Sequence, residues 1–269
     1  MSFPDDLRAV KVTRAAWERC QHWSSVASSI ILGALIFTSP LGAGATNQIT
    51  NGQIVTEIQD LLYHAHVFKH GQVQVSVNNG VATLTGRVDS IGVKTDAQNA
   101  AMQDEDIVRV ANDVQVYTSG VTPDQILERA RHRLSICYAY TVYDHVDFKA
   151  QGNTLVVSGQ VTQPYKKQAI AYSISHIKGV AAVDNEIQVL SLSAYDDDLR
   201  MRVARAIYDD PYFSDYVDAG KLPIHIVASE GMVTLEGVVA TPEDRSRAEQ
   251  DARIVTTVDT VSNHLRLEG

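Results

Sequence analysis

One interval recurs along this chain. Gly86 stands 26 residues before Asn112, Gly159 stands 26 before Asn185, and Gly237 stands 26 before Asn263, each time in matching apolar surroundings. A fixed interval of this kind marks a small unit copied in tandem. The 269 residues are therefore an array of small domains rather than one large catalytic domain, which moves the functional question from catalysis towards binding.

The residues around each glycine give the unit its form. Ala82, Leu84, Gly86 and Val88 alternate with Thr83, Thr85 and Arg87. Leu155, Val157, Gly159 and Val161 do the same in the second copy, as do Val233, Leu235, Gly237 and Val239 in the third. Alternation with one apolar face predicts a strand in a sheet covered on one side. The glycine lies on that covered face, where a missing side chain implies close approach of a helix or a local bulge. Asn79-Gly80, Gly152-Asn153 and Glu230-Gly231 precede these strands and follow a further apolar alternation, which predicts a tight hairpin.

Downstream, Thr241-Pro242-Glu243-Asp244 reads as a helix start, with Ser90 and Gln163 at the equivalent offset. Ala97 and Ala101, Ile170 and Ile174, and Ala248 and Ala252 then keep the i, i+4 spacing of a buried helical stripe. A last strand surrounds each asparagine. Upstream, Ile54, Ile58 and Leu61, then Leu127, Ala130 and Leu134, then Leu199, Val203 and Ile207 predict an amphipathic helix that opens each copy. The third copy is longer by five residues between its first helix and first strand, which places the insertion in a loop. The fold class is α+β: three tandem α-β-β-α-β domains, each a two-layer sandwich of a three-stranded mixed sheet with two helices on one face. The boundaries fall at residues 46–118, 119–191 and 192–269.

The run Gly80-Val81-Ala82-Thr83-Leu84-Thr85-Gly86-Arg87-Val88, followed by Val110-Ala111-Asn112, resembles the BON-domain family of bacterial envelope proteins. Gly179-Val180-Ala181-Ala182-Val183-Asp184-Asn185 carries the same resemblance, which extends over residues 50–268 in three copies. Copy one departs from the pattern with Ile107-Val108 where a glycine is usual before the last strand. The resemblance implies an exported protein and a binding module for phospholipid or other envelope components, found in periplasmic stress-related proteins and beside channels or secretion pores. It implies no catalytic residues.

The first 45 residues are of another kind. Arg8, Lys11, Arg14 and Arg19 precede the apolar core Ile30–Phe37, and Ala43-Gly44-Ala45 follows Ser39-Pro40. This is the order of a secretory signal peptide cleaved after Ala45; the alternative is an uncleaved anchor in the inner membrane facing the periplasm. Beyond residue 45 the chain keeps a net charge of −10, because the leading segment holds four basic and three acidic residues of a total of −9. Such a charge opposes nucleic acid as a partner, so any anion site has to be local. Cys137 is then the only cysteine beyond the leading segment, which excludes an internal disulfide framework. It reads as a small apolar helix residue.

Candidate binding residues are basic or aromatic. Arg129 and Arg133 lie one helical turn apart in copy two, and Arg202 and Arg205 are similarly related in copy three. Tyr165, Lys166 and Lys167 stand at a helix start, where backbone N–H groups favour anions. Tyr138, Tyr140, Tyr143 and Phe148 cluster after the first helix of copy two, as do Tyr208, Tyr212, Phe213 and Tyr216 in copy three. Rings of this type suit membrane or protein interfaces and equally the packing of one repeat on the next. His64, His66 and His70 have no further ligand at a metal-site spacing. Asp196-Asp197-Asp198 fits an acidic helix start better than a calcium loop. Gly86, Asn112, Gly159, Asn185, Gly237 and Asn263 are structural. With no nucleophile elbow or phosphate loop in sight, the expectation is a protein without enzymatic activity or cofactor. Its expected ligand is a phospholipid headgroup or another envelope component, held by the loops and first helices of copies two and three. A protein-interaction scaffold in the periplasm is the alternative.

Overall fold

The structure is a computed structural model described over residues 50–255 and 260–268. The expected export segment lies outside the described residues. Copy one runs α1 (Asn51–His64), β1 (Gly71–Asn78), β2 (Val81–Val88), α2 (Ile91–Ala101), β3 (Arg109–Asn112) and β4 (Gln115–Val116). Copy two runs α3 (Pro123–Ser135), β5 (His145–Gln151), β6 (Thr154–Val161), α4 (Pro164–Ser175) and β7 (Ala182–Val189). Copy three runs α5 (Ala194–Tyr208), the short helix α6 (Ser214–Asp218), β8 (Ile224–Ser229), β9 (Met232–Val239), α7 (Pro242–Ile254), β10 (Thr260–Asn263) and β11 (Arg266–Leu267). These are three tandem α+β units, and the insertion of copy three falls between its first helix and first strand.

Each sheet is mixed. The middle strand pairs antiparallel with its hairpin partner and parallel with the last strand. In all three copies the asparagine faces the residue two before the glycine: Asn112 opposite Leu84, Asn185 opposite Val157 and Asn263 opposite Leu235. The constant interval is thus the path from the middle strand, through the helical crossover, back to a fixed register. The asparagine secures that return. Asn112 Nδ2 donates to the Lys94 carbonyl at 2.9 Å and Asn263 Nδ2 to the Arg245 carbonyl at 2.9 Å, tying last strand to second helix. Each Oδ1 accepts the N–H two residues on, from Val114, Ile187 and Leu265 at 3.3, 3.2 and 3.1 Å.

The glycines are required for a different reason from the one expected. Pairing runs unbroken through them, so there is no bulge, and the crowding group is a backbone carbonyl of the adjacent strand rather than a helix. Gly86, Gly159 and Gly237 have φ of 125°, 128° and 124°. A Cβ there would stand 2.1 Å from the Gln72 carbonyl oxygen, 2.1 Å from that of His145 and 1.9 Å from that of Pro223. The conformation belongs to glycine, and so does the space.

The hairpins follow the residues that tolerate positive φ: Asn79 and Gly80 at 49° and 73°, and Glu230 and Gly231 at 54° and 78°. In copy two only Gly152 of the pair is positive, at 60°. Asn153 instead donates from Nδ2 to the Gly179 carbonyl at 2.9 Å. Thr241 and Asp244 form a reciprocal capping box at α7, whereas Ser90 and Gln163 cap α2 and α4 without a side-chain bond. Thr50 with Gln53 and Thr122 with Gln125 form further boxes at α1 and α3.

Three separate cores result. The expected stripes of the second helices are buried in all three. On α1 Ile54 and Ile58 are buried as expected, and Leu62 takes the third place, with Leu61 at the margin. Asp196, buried near the start of α5, accepts from the N–H groups of Glu230 and Gly231 at 3.1 and 2.9 Å and clamps the β8–β9 turn. No described helix is long and apolar enough to cross a membrane.

Candidate functional site

The expected ligand residues separate into groups that face inward and outward. Lys166 is buried, with its ammonium 2.6 Å from Asp144 Oδ2 and 3.2 Å from the Thr141 hydroxyl. Asp144 also accepts from the backbone and hydroxyl of both Thr141 and Thr162. A lysine buried and paired in this way turns its charge inward rather than to solvent, so the expectation for Lys166 is corrected: it fastens the segment before β5 to α4. Phe213 is likewise corrected. It is fully buried in the core of copy three, edge-on to Tyr212. The inserted segment lodges this ring in the core, with Tyr216 packed against it.

The remaining aromatics of copy three serve the same segment. Tyr212 and Tyr216 donate to the two oxygens of Asp244 at 2.9 and 2.7 Å, and Tyr208 donates to the Ile224 carbonyl at 2.7 Å. They fasten the insertion within its own repeat. In copy two, by contrast, Tyr143 packs against the core of copy three and Tyr140 against His225, their ring centroids 5.0 Å apart.

The basic pairs also differ. In copy three Arg202 is held by Asp198 at 2.7 Å, and Arg205 is exposed. Their neighbour Arg200 is buried between Asp197 and the Ala228 carbonyl. On α3 no ion pair among the described residues neutralises Arg129, Arg131 or Arg133, and all three are exposed. Arg129 Nη1 donates to the Lys178 carbonyl at 3.1 Å. Because α3 buries Ile126, Ala130 and Leu134, the helical period puts Arg129, His132, Arg133 and Ile136 together on one outer flank and Arg131 on the other. Ile136 and Tyr138, just past the helix end, are 66% and 62% exposed. A cationic flank that ends in protruding apolar side chains is the composition of a surface-seeking helix. His132 and Ile136 are the members of this flank that sequence reasoning missed. The spacing from Arg129 to Ile136 was readable, but not their exposure.

Further cations gather beside it. Lys178, Lys69 and Arg87 line a cleft of about 370 Å³ between copies one and two, with Tyr117 at its edge. Its one carboxylate, Asp89, meets His70 Nδ1 at 3.2 Å. Tyr165 is exposed and Lys167 half-buried at the start of α4. His64 turns to the Asp60 carbonyl at 2.7 Å, away from His70. Among the described residues no group of three His, Cys, Asp or Glu could hold a metal ion.

Comparison with known proteins agrees with the repeat. The family model of the BON domain matches residues 50–117, 140–191 and 195–269. The second match leaves out α3, the helix that carries the cationic flank. Among solved structures the chain is similar to the C-terminal domain of CdsD, the structural protein of the Type III secretion system of Chlamydia trachomatis. That alignment has 15% identity and a TM-score of 0.23, and covers 82% of this chain and 100% of that one. A second CdsD structure gives 14% identity and a TM-score of 0.24, with 80% and 92% covered. No curated protein matches the chain.

Proposed function

Because the chain belongs to the BON-domain family, a family of non-catalytic binding domains associated with the bacterial envelope, we propose that it is an exported protein that holds anionic phospholipid headgroups through the first helix of its second repeat. The observation that carries this reading is the outer flank of α3, with Arg129 and Arg133 in the open beside Ile136. A basic residue near an anionic bilayer contributes about 1 kcal/mol, and an inserted apolar side chain adds its burial. The strongly acidic remainder of the protein keeps the contact local. Lys69, Arg87 and Lys178 extend the positive surface into the adjoining cleft.

Flotation with vesicles tests it. Phosphatidylglycerol vesicles at low salt should retain the chain, and Arg129→Gln with Arg133→Gln should weaken retention about tenfold or more. Equal retention by pure phosphatidylcholine, or a double variant that floats like the parent, contradicts the reading. A periplasmic scaffold is the second reading, supported by Leu192, 80% exposed between copies two and three. Its test is whether Leu192→Ser abolishes a crosslinked envelope partner.

A further inference from the structure

The two junctions between repeats are both crossed by histidine, with opposite requirements for its charge. At the first, the Ile91 N–H donates to the Val180 carbonyl at 2.9 Å and the Gly179 N–H to the Asp89 carbonyl at 2.7 Å. The His176 ring, at the end of α4, rests on Gly92 of α2, where an added Cβ would come within 2.6 Å of ring atoms. Its Nδ1 lies 2.7 Å from the Tyr172 carbonyl and its Nε2 2.8 Å from Asp96 Oδ2 across the junction. A carbonyl at one nitrogen and a carboxylate at the other both call for N–H donors, and only the imidazolium supplies two. Burial works against that charge, and Arg133 of α3 adds repulsion, but the bonds to Asp96 and Tyr172 outweigh them and hold the ring's pKa above its ordinary value.

At the second junction the segment between α3 and β5 lies along β8. The Ile226 N–H donates to the Val142 carbonyl at 2.7 Å, and Arg266 reaches Asp147 at 3.1 Å. His225 Nδ1 is 3.3 Å from the Thr141 carbonyl and its Nε2 is 3.4 Å from the Tyr140 hydroxyl. A neutral ring meets both partners, donating from Nδ1 to the carbonyl and accepting at Nε2 from the hydroxyl. A second proton would take Nε2 away as the acceptor of the part-buried Tyr140 O–H and set a charge 6.3 Å, centroid to centroid, from the His145 ring.

The nearby carboxylates do not outweigh this, although Asp144 draws the charge in part. Asp144 is engaged by Lys166, Thr141 and Thr162. Asp147 and Glu236 stand at His145 Nε2, 3.3 and 3.7 Å away, and Glu236 is shared with His264 at 2.9 Å. Arg131, Lys149 and Arg266 add positive charge to the same cleft of about 410 Å³. Burial, and then His145, hold the His225 pKa below its ordinary value.

We propose that acidification releases the third repeat from the second while the first two stay docked, because the His225 seat favours a neutral ring and the His176 seat favours a charged one. Release uncovers Val227, which is 4% exposed on β8, and the Tyr143 ring. The body of three repeats becomes a pair and a single.

The junction amides report each seam separately. In the full chain, hydrogen-exchange protection, corrected for intrinsic rate, should fall about tenfold at Ile226 between about pH 7.5 and 5 while Gly179 holds or gains. His225→Gln should flatten the Ile226 response, and His176→Gln should make Gly179 lose protection in acid. His145→Gln, which removes the neighbouring imidazole and frees Asp147 and Glu236 to face His225, should move the Ile226 fall to higher pH even if His225→Gln does not dock. Equal loss at Ile226 and Gly179, or an Ile226 response unchanged by both His225→Gln and His145→Gln, overturns the proposal.

Discussion

Adding one methyl group at Gly237 should destabilise the third repeat far more than adding one at Gly52. At Gly237 φ is 124° and a Cβ would lie 1.9 Å from the carbonyl oxygen of Pro223, the residue before Ile224, which pairs with Gly237 in β8–β9. An L-residue in that conformation costs on the order of 1–3 kcal/mol, and forcing the strands apart adds about 1–3 kcal/mol. Gly237→Ala should therefore lose about 2–6 kcal/mol. Gly52, in the first turn of α1, has the Thr50 hydroxyl at 3.9 Å as its nearest neighbour. Gly52→Ala should gain up to about 1 kcal/mol from helix propensity. Gly120, with nothing nearby and φ of 79°, separates conformation from crowding, and Gly120→Ala should lose about 1 kcal/mol. Urea unfolding followed by circular dichroism, with copy-resolved hydrogen exchange to identify which repeat melts, measures all three. A Gly237→Ala variant within about 1 kcal/mol of the parent would refute the argument that the adjacent carbonyl demands glycine.

Three other outcomes follow from the same geometry. Asp251 is buried against the like charge of Asp210, and burial above all raises its pKa to about 6, with Arg247 only partly offsetting. A folded-state pKa above the unfolded one gives stability that is full below about pH 4 and lost as pH rises through about 6. Asp251→Asn should therefore stabilise copy three on the order of 1–3 kcal/mol at about pH 8 and leave it unchanged at about pH 4, as read by urea titration at both. Lys166→Met strands the Asp144 carboxylate in the interior and should lose about 3–5 kcal/mol, whereas the paired change with Asp144→Leu should recover much of it; a double-mutant cycle checks this. Asn263→Ala removes the bonds to the Arg245 carbonyl and the Leu265 N–H. It should lose about 1–3 kcal/mol and raise exchange at Leu265.

The framework was legible because it is local and periodic. Strand alternation at Leu84, Val157 and Leu235, the hairpin glycines and the helical stripes each declare themselves within a short window, and threefold repetition ties them into one register. The reason for the glycine was not legible, since the carbonyl that crowds Gly159 belongs to His145 on the neighbouring strand. Lys166 looked like a surface cation at a helix start because its partner, Asp144, is separated from it by a whole hairpin. Phe213 lies in an acidic, tyrosine-rich run that reads as surface, yet the insertion needed one ring to anchor it. The cationic flank of α3 was half legible. The spacing of Arg129 and Arg133 was plain, but Arg202 and Arg205 look alike in sequence, and only the ion pair of Arg202 with Asp198 sets the two helices apart.

The central claim is that a constant framework carries a functional first helix in the second repeat. Phosphatidylglycerol vesicles that carry a headgroup spin label test it most directly, through paramagnetic broadening of the amides of the bound full chain. The account predicts the strongest broadening at Arg133, Ile136 and Tyr138, with α1 and α5 little affected. Broadening centred on α1 or α5, or spread evenly over the three repeats, would contradict it.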